Sequence, residues 1–264
     1  MIRKAVVAGS FYPKTREEII NFIERNITIK TERYNALSIM VPHAGYIFSG
    51  KTALSVYNSI NIPDEVIIIG PNHTGLGAPL SIIAEGVWET PMGKVQIDSE
   101  LAENIISNSK FLKADALAHL NEHSIEVQLP MLQYFKRDFK FVPIVMGNYS
   151  IQFINDLSNA IIKASEDRVL VIASSDMSHY VSRREAKELD FLAFEKIKNL
   201  DSLGLMNVVY EYDISMCGSG PMAVAINYSK ERGAKEAILL DYTDSGEVTN
   251  DTSSVVSYAG FVII

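Results

Sequence analysis

Two histidines stand in turns that are rich in proline and glycine. His43 lies in the run PHAGY at 42–46, and His73 ends the run GPNH at 70–73. Small neighbours and a restricted backbone leave room for a ligand beside an imidazole ring. Imidazole is a common nitrogen ligand for Zn, Cu and Fe, so two such turns brought together would supply half of a metal site. The plainer interpretation is that each ring only bonds a carbonyl of its own loop.

A carboxylate and a third imidazole lie together in the run SSDMSHY at 174–180. Asp176 and His179 are three residues apart, a spacing that can place the carboxylate beside the ring and set its tautomer or raise its basicity. General acid or base catalysis is the role that follows. The alternative is a helix N-terminus capped by Ser175 or Asp176. A serine nucleophile is less favoured, because no Gly-x-Ser-x-Gly elbow is present.

His123 and Glu126 are also three residues apart and would share one face of a helix over 122–135, which Pro130 would kink or end. His123 would then face a substrate or support a ligand; the alternative is an exposed side-chain pair. A second histidine that would complete a His-Glu-x-x-His zinc helix is missing. His119 is assigned to the surface.

Cys217 is the single cysteine, in the glycine-flanked run MCGSGP at 216–221. It cannot form an internal disulfide, which fits a reducing compartment. The run leads into a helical pattern, and a helix N-terminus would lower the pKa of the thiol and make it a competent ligand or nucleophile. Judged by its local sequence alone, Cys217 is more typical of a small buried apolar side chain.

Six apolar runs show no polar alternation, which is typical of strands covered on both faces. They lie at 36–41, 66–69, 141–146, 169–173, 237–240 and 255–263. Helical patterns between them predict helices at 15–26, 50–59, 99–108, 122–135, 151–165, 183–198 and 219–231. This alternation predicts an α/β fold with a central parallel or mixed sheet flanked by helices. In such sheets ligands bind beyond the carboxyl ends of the strands, where His43, His73 and Asp176 are expected.

Composition narrows the class of protein. The chain has 264 residues, of which 47% are hydrophobic and 21% charged, so a folded globular protein is expected, with one domain over 1–264. The net charge of −8 argues against binding to nucleic acid or anionic membrane. Every apolar run is shorter than a bilayer span requires, and the stretch after the first charges is too short for a secretory signal, so a cytoplasmic location is expected.

Taken together, these runs resemble the Memo family (mediator of ErbB2-driven cell motility, with archaeal and bacterial relatives). The resemblance extends nearly from end to end through AGSFYP at 8–13, PHAGY at 42–46, GPNH at 70–73, WETPMG at 88–93, EHSIE at 122–126, SSDMSH at 174–179, MCG at 216–218 and SSVVSYA at 253–259. It implies a fold like that of class III extradiol dioxygenases, which use non-haem Fe(II) to open catechol rings.

The resemblance also implies roles for the site residues. His43 and His73 correspond to the two metal histidines, and His179, with Asp176 beside it, to the acid/base histidine. Cys217 stands where the dioxygenases have a carboxylate ligand. Thiolate is a soft ligand that favours Cu(I), Zn or a thiolate-bound iron, and it is prone to oxidation next to a redox metal and O2, so ring cleavage itself is disfavoured.

Two functions follow as expectations. The first is a redox enzyme with one transition metal, Fe(II) or Cu before Zn, acting on a small substrate that His123 and Glu126 help to orient. The second is a non-catalytic protein that binds copper or iron, or a peptide or protein, in the inherited pocket, as the family's signalling and copper-handling roles in animals imply. The family also suggests a radical-SAM partner protein, and a homo-oligomer is left open.

Overall fold

The computed structural model describes residues 1–27, 29–30, 32–165 and 169–264. Its strands are β1 (Ile2–Arg3), β2 (Ser38–Val41), β3 (Glu65–Pro71), β4 (Leu80–Ile82), β5 (Val87–Thr90), β6 (Gly93–Ile97), β7 (Lys113–Ala114), β8 (Lys140–Met146), β9 (Leu170–Ser174), β10 (His179–Val181), β11 (Ala237–Asp244) and β12 (Val255–Ile263). Its α-helices are α1 (Arg16–Asn26), α2 (Tyr46–Tyr57), α3 (Ser99–Asn108), α4 (Leu129–Phe135), α5 (Ile151–Ala164), α6 (Arg183–Lys198), α7 (Ser202–Glu211), α8 (Ser219–Glu231) and α9 (Gly246–Thr249), with 3₁₀ turns at Leu117–His119 and Glu126–Gln128.

The strands of the described residues join one mixed sheet. Its main path runs β1-β5-β6-β8-β3-β9-β2-β12-β10, with β11 also on β12 and β4 and β7 extending from β8. The central strands β6, β8, β3, β9 and β2 are parallel, whereas β12 is antiparallel to β2 and β11. Helices cover both faces, so the predicted α/β fold with a flanked central sheet is confirmed.

Strand β3 shows why its sequence lacks polar alternation. Ile67 and Ile69 join the core cluster that packs under helices α3, α5, α6, α7 and α8. Val66 and Ile68 join the opposite cluster, under α1, α2 and α4. All four side chains are fully buried, because both faces of the sheet are covered and neither tolerates a polar side chain. None of the described helices has the length and apolar character needed to cross a bilayer.

Two helix starts follow directly from local sequence. Thr15 caps α1, and Glu18 completes a reciprocal capping box with it. Ser182 caps α6 by accepting a hydrogen bond from the Glu185 backbone N–H. The sequence patterns do not predict helix α7, in which only Leu205 of the ten residues is buried, although Met206 and Val209 also pack against the core.

Two sequence predictions about local structure are wrong. The helix expected over 122–135 begins only at Leu129, and Pro130 lies in its first turn, where the missing N–H is tolerated. Proline therefore starts this helix and does not end it. The run 174–180 forms no helix either: β9 ends at Ser174, and His179 begins β10, so Ser175 and Asp176 are not helix caps.

Candidate metal centre

His43, His73 and Cys217 converge at one edge of the sheet. Their potential ligand atoms all lie within 4.8 Å of one another. His43 follows β2 and His73 follows β3, whose carboxyl ends meet at this edge, while Cys217 lies just before helix α8. The Sγ atom of Cys217 is 3.3 Å from Nε2 of His43. The predicted grouping of the three residues is therefore present.

A buried serine determines the tautomer of His43. The Ser174 hydroxyl donates its only proton to the Ser124 carbonyl oxygen at 2.7 Å. It must therefore accept from the His43 ring, whose Nδ1 lies 2.9 Å away, and it also accepts from the Gln128 amide at 2.8 Å. Nδ1 of His43 thus carries the proton and Nε2 carries the free lone pair. Burial, helped by the neighbouring imidazoles of His73 and His123, lowers the pKa of His43 well below its usual value, so the ring is neutral.

A buried glutamate orients His73. The Glu122 carboxylate accepts from His73 Nδ1 at 2.9 Å and from the His73 backbone N–H at 2.6 Å. The backbone N–H groups of His123 and Ser124 donate to the same carboxylate. Burial would raise the pKa of Glu122, but these hydrogen bonds outweigh it and lower the pKa to about 2. Because an ionised carboxylate only accepts, the proton of His73 is on Nδ1 and Nε2 is free for an ion.

Cys217 is half-buried, and its sulfur accepts from the Asp176 backbone N–H at 3.2 Å. Burial, together with the nearby carboxylate of Asp176, raises the pKa of the thiol. The lowering predicted from the helix N-terminus is wrong, because Gly218 is the N-cap of α8 and Cys217 stands outside the helix, where desolvation dominates. Without an ion, burial therefore favours the neutral thiol.

The donor set fits a transition-metal ion. A tetrahedral zinc ion, with Zn–N bonds of about 2.1 Å and a Zn–S bond of about 2.3 Å, holds nitrogen and sulfur roughly 3.6 Å apart. The 3.3 Å between Nε2 of His43 and Sγ of Cys217 is close to that separation. Both histidines have the second ring nitrogen already bonded, by a serine and by a carboxylate, as metal-binding histidines usually do. Two imidazoles and one thiol favour Zn, Cu or iron over Mg or Ca.

His123 packs against the two candidate ligand histidines. Its ring centroid is 4.6 Å from that of His73 in a stacked arrangement and 5.5 Å from that of His43. Phe11 covers the ring from another direction at 4.5 Å. Burial lowers the pKa of His123, so this ring is also a neutral neighbour. The residue thus lies beside the site, as a residue facing a substrate must.

Glu126 does not share an exposed face with His123. Its carboxylate is buried and pairs with the Arg3 guanidinium at 2.6 Å, and it also accepts from Tyr12 Oη at 2.7 Å. Because these partners occupy it, the role of orienting a substrate expected for Glu126 is not supported by its position. His119, expected at the surface, is fully buried at the end of a 3₁₀ turn and packs edge-on against Trp88, so the surface assignment is wrong.

Asp176 and His179 lie beside the cluster but have separate partners. Asp176 accepts from the backbone N–H groups of His43 at 2.8 Å and Ala44 at 3.3 Å, and so holds the turn that carries His43. Burial raises the pKa of Asp176 despite these bonds. His179 Nδ1 donates to the Ser215 carbonyl oxygen at 2.9 Å. A backbone carbonyl, not the Asp176 carboxylate, therefore fixes the His179 tautomer and leaves Nε2 free.

The site opens to solvent on one side. The His73 side chain is 34% exposed and that of His43 only 2%. His73, Glu122 and His123 form a second group with metal-ligand spacing. Glu122 Oε1 already accepts three hydrogen bonds there, which suits an orienting group better than a ligand. An ion bound by His43, His73 and Cys217 would therefore be reached from the His73 side.

Several residues of the site had no clear signal in the sequence. Ser174 is one of three serines in the run 174–180 and nothing in the sequence distinguishes it, yet it fixes His43. The only feature of the sequence that marks Glu122 is its position next to His123 in the run EHSIE at 122–126. Gln128 and Ser215 had none, because their contacts come from segments distant in sequence.

Comparison with known proteins gives a consistent result. A family model described as "Memo-like protein" matches residues 3–262. A MEMO1 family protein of Methanobrevibacter smithii is 43% identical over 277 residues, covering 98% of each chain. One from Aquifex aeolicus is 42% identical over 266 residues, covering 100% of this chain and 99% of the relative. One from Nitrosopumilus maritimus is 40% identical over 275 residues, covering both chains fully.

Proposed function

Since the chain belongs to the Memo-like family, we propose that it is a metal-dependent redox enzyme whose single transition-metal ion is held by His43, His73 and Cys217. We further propose Fe(II) or Cu as the metal, with Zn as the non-redox alternative, and a small molecule as the substrate. The reducing cytoplasm is the proposed location, because it would keep the one thiol reduced.

The observation that carries this proposal is the state of the three ligand atoms. Each histidine has its Nδ1 proton committed to a protein acceptor, so both present a free Nε2. The Cys217 sulfur lies in contact range of one of them. If the two imidazole rings served only to bond carbonyls of their own loops, they would not both need to present a free Nε2. This arrangement supports a site with three preoriented ligands and an open side for a fourth.

A bound ion would supply Lewis acidity and a redox centre at this edge of the sheet. The residues around it have separable tasks. His179 can take or give a proton at Nε2, because its Nδ1 proton is held by the Ser215 carbonyl. His179 lies near enough for a charge on its ring to act on His43 and Asp176, although burial is the larger influence on the pKa of each. His123 and Phe11 offer flat faces beside the ligand histidines against which a substrate can pack.

Metal analysis tests the site. The protein is loaded separately with Fe(II), Cu(I) and Zn(II), dialysed, and measured by plasma mass spectrometry. We expect one ion per chain in the wild type and loss of stoichiometric binding in His43→Ala, His73→Ala and Cys217→Ala. The matched variant is His179→Ala, which removes an imidazole beside the cluster and should keep the metal. Unchanged metal content in all three ligand variants would show that the site is wrong.

Oxygen consumption tests catalysis. The loaded protein is screened with catechols and related phenols, with substrate loss followed in parallel. His179→Ala should keep its metal and lose turnover, which separates proton transfer from ligation. Metal binding without any turnover would contradict the enzymatic proposal.

The second candidate is a metal-binding or peptide-binding protein that uses the same cleft. One observation favours it: a groove of about 380 Å³, lined by Phe11, Phe22, Tyr46 and Ile47 among others, adjoins the site through Phe11. Apolar side chains of a peptide would fit such a groove. Tight metal binding with no O2 uptake for any metal would favour this function over the first.

A further inference from the structure

We propose that Arg3 is a positioning residue for the candidate metal ligand His73. Arg3 lies near the chain start, 70 positions away, and it acts by fixing the segment 119–126, whose Glu122 holds the His73 ring. The inference rests on the proposed function only in that His73 is taken to bind an ion.

The Arg3 guanidinium bridges both ends and the middle of this segment. Nε donates to the His119 carbonyl oxygen at 2.8 Å, and Nη2 donates to the Glu122 carbonyl oxygen at 2.7 Å. Nη1 pairs with the Glu126 carboxylate at 2.6 Å. The three acceptors lie in three directions, and the planar fork of five N–H donors is the side chain suited to reach them together.

The Arg3 guanidinium also packs against an aromatic ring. Strand β1 pairs in parallel with β5, which puts Arg3 in register with Trp88. The guanidinium carbon lies 3.9 Å from the centre of the Trp88 ring, a cation–π contact. Arg3 is 4% exposed and Glu126 is fully buried. The hydrogen bonds of the Arg3 guanidinium are therefore shielded from water, so water does not compete for their donors and acceptors.

Glu122 connects Arg3 to His73. Its backbone carbonyl is bonded to Arg3, while its carboxylate accepts from both the ring and the backbone N–H of His73. A shift of the segment would move both carboxylate oxygens and release the Nδ1 proton of a ring that is one-third exposed. An exposed imidazole without its partner can take either tautomer, and only one of them presents Nε2 as a ligand.

The variant Arg3→Lys tests the positioning role of Arg3 without removing its positive charge. Lysine keeps the positive charge opposite Glu126, but a single ammonium cannot reach both carbonyls and the carboxylate. The matched control is Arg232→Lys. Arg232 is a half-buried arginine that, like Arg3, lies over an aromatic ring, here Tyr228. It donates to the Ile162 and Ser165 carbonyls far from the site. Thermal unfolding of both variants measures their general structural cost.

Two measurements report separately on the tautomer of His73 and on metal binding. Long-range ¹H–¹⁵N correlation spectra of the metal-free protein report the tautomer of His73. Titration with Co²⁺, followed by its d–d and thiolate charge-transfer absorption, reports affinity and ligand geometry. We expect Arg3→Lys to convert His73 from one Nδ1–H tautomer to a mixture and to weaken Co²⁺ binding by about tenfold. Arg232→Lys should change neither.

The outcomes separate this inference from the proposed function. If Arg3→Lys loses thermal stability but keeps the wild-type tautomer, Arg3 is only structural and the inference is overturned. If the wild type fails to bind Co²⁺ while the tautomer still depends on Arg3, the metal proposal fails and the positioning role stands. Should Arg3→Lys not fold, the double variant Arg3→Met/Glu126→Gln removes both buried charges together, and the same tautomer test decides.

Discussion

The sulfur of Cys217 and Nε2 of His43 lie 3.3 Å apart although 174 residues separate them in the chain. Since Ser174 holds the proton of His43 on Nδ1, Nε2 faces the sulfur as an acceptor. The neutral thiol can therefore donate to this nitrogen when no ion is present. Under the proposed function, the same two atoms would bind the ion in place of this contact.

Metal binding should become stronger as pH rises. Burial raises the pKa of the Cys217 thiol, so at neutral pH an ion must displace its proton. Below that raised pKa, each decrease of one pH unit should weaken the apparent metal affinity by about tenfold. Competition with a chelator between pH 6 and 8, and calorimetry in buffers of different ionisation enthalpy, measure this. Release of no proton, or an affinity independent of pH, would contradict a protonated Cys217 as ligand.

Ser174→Ala should weaken metal binding as well as the fold. The substitution removes the acceptor of His43 Nδ1–H and of the Gln128 amide, at a cost of about 1–3 kcal/mol in unfolding free energy. With its tautomer no longer fixed, His43 should lose about tenfold in metal affinity. Urea unfolding and Co²⁺ titration measure the two effects.

The control for that variant is Ser229→Ala. Ser229 is equally buried and bonds Ser38 at 2.6 Å, away from the cluster. It should lose stability without losing affinity. Equal affinity losses in both serine variants would mean that general destabilisation, and not the tautomer, weakens the site.

Gly218→Ala should displace Cys217. A Cβ atom there would overlap the Ser174 carbonyl oxygen and Ser175 Cβ, so the backbone must move. Such overpacking costs about 1–3 kcal/mol and should also lower metal occupancy. Gly147→Ala is the control at the same edge of the sheet, because its nearest neighbour would be Asn72 Cβ at an ordinary 3.5 Å. Full metal loading of Gly218→Ala would show that Cys217 tolerates the shift or is not a ligand.

Asp190 should give the fold a defined dependence on pH. Burial raises its pKa although Ser178, Ser257 and Tyr242 donate hydrogen bonds to it. The folded protein therefore keeps this proton to higher pH than the unfolded chain does. The stabilisation from the protonated form is complete below the unfolded pKa of about 3.9 and is lost as pH rises through the folded pKa.

Asp190→Asn removes this titration. The stability of the wild type relative to the variant should fall as pH rises through the acid range, measured by urea unfolding at a series of pH values from about 3 upward. A difference that instead grows with pH would show that the folded pKa is lowered.

Local signals were sufficient for much of the fold. Uninterrupted apolar runs predicted β3 and β9 because a strand covered on both faces admits no polar side chain. The capping residues Thr15 and Ser182 marked two helix starts because they bond backbone groups within three positions. Short edge strands such as β1 and β7 had no such signal, since their pairing partners supply their stability.

The sequence by itself determined the chemical types at the candidate site: two imidazoles and one sulfur, each next to a glycine or proline turn at the end of an element. The tertiary structure alone decided which nitrogen each ring presents, that burial disfavours ionisation of the Cys217 thiol, and that Arg3 and Glu122 hold His73. The reason is physical. Residue type sets what an atom can bond, whereas tautomer, desolvation and orientation depend on neighbours that only folding brings from distant parts of the chain.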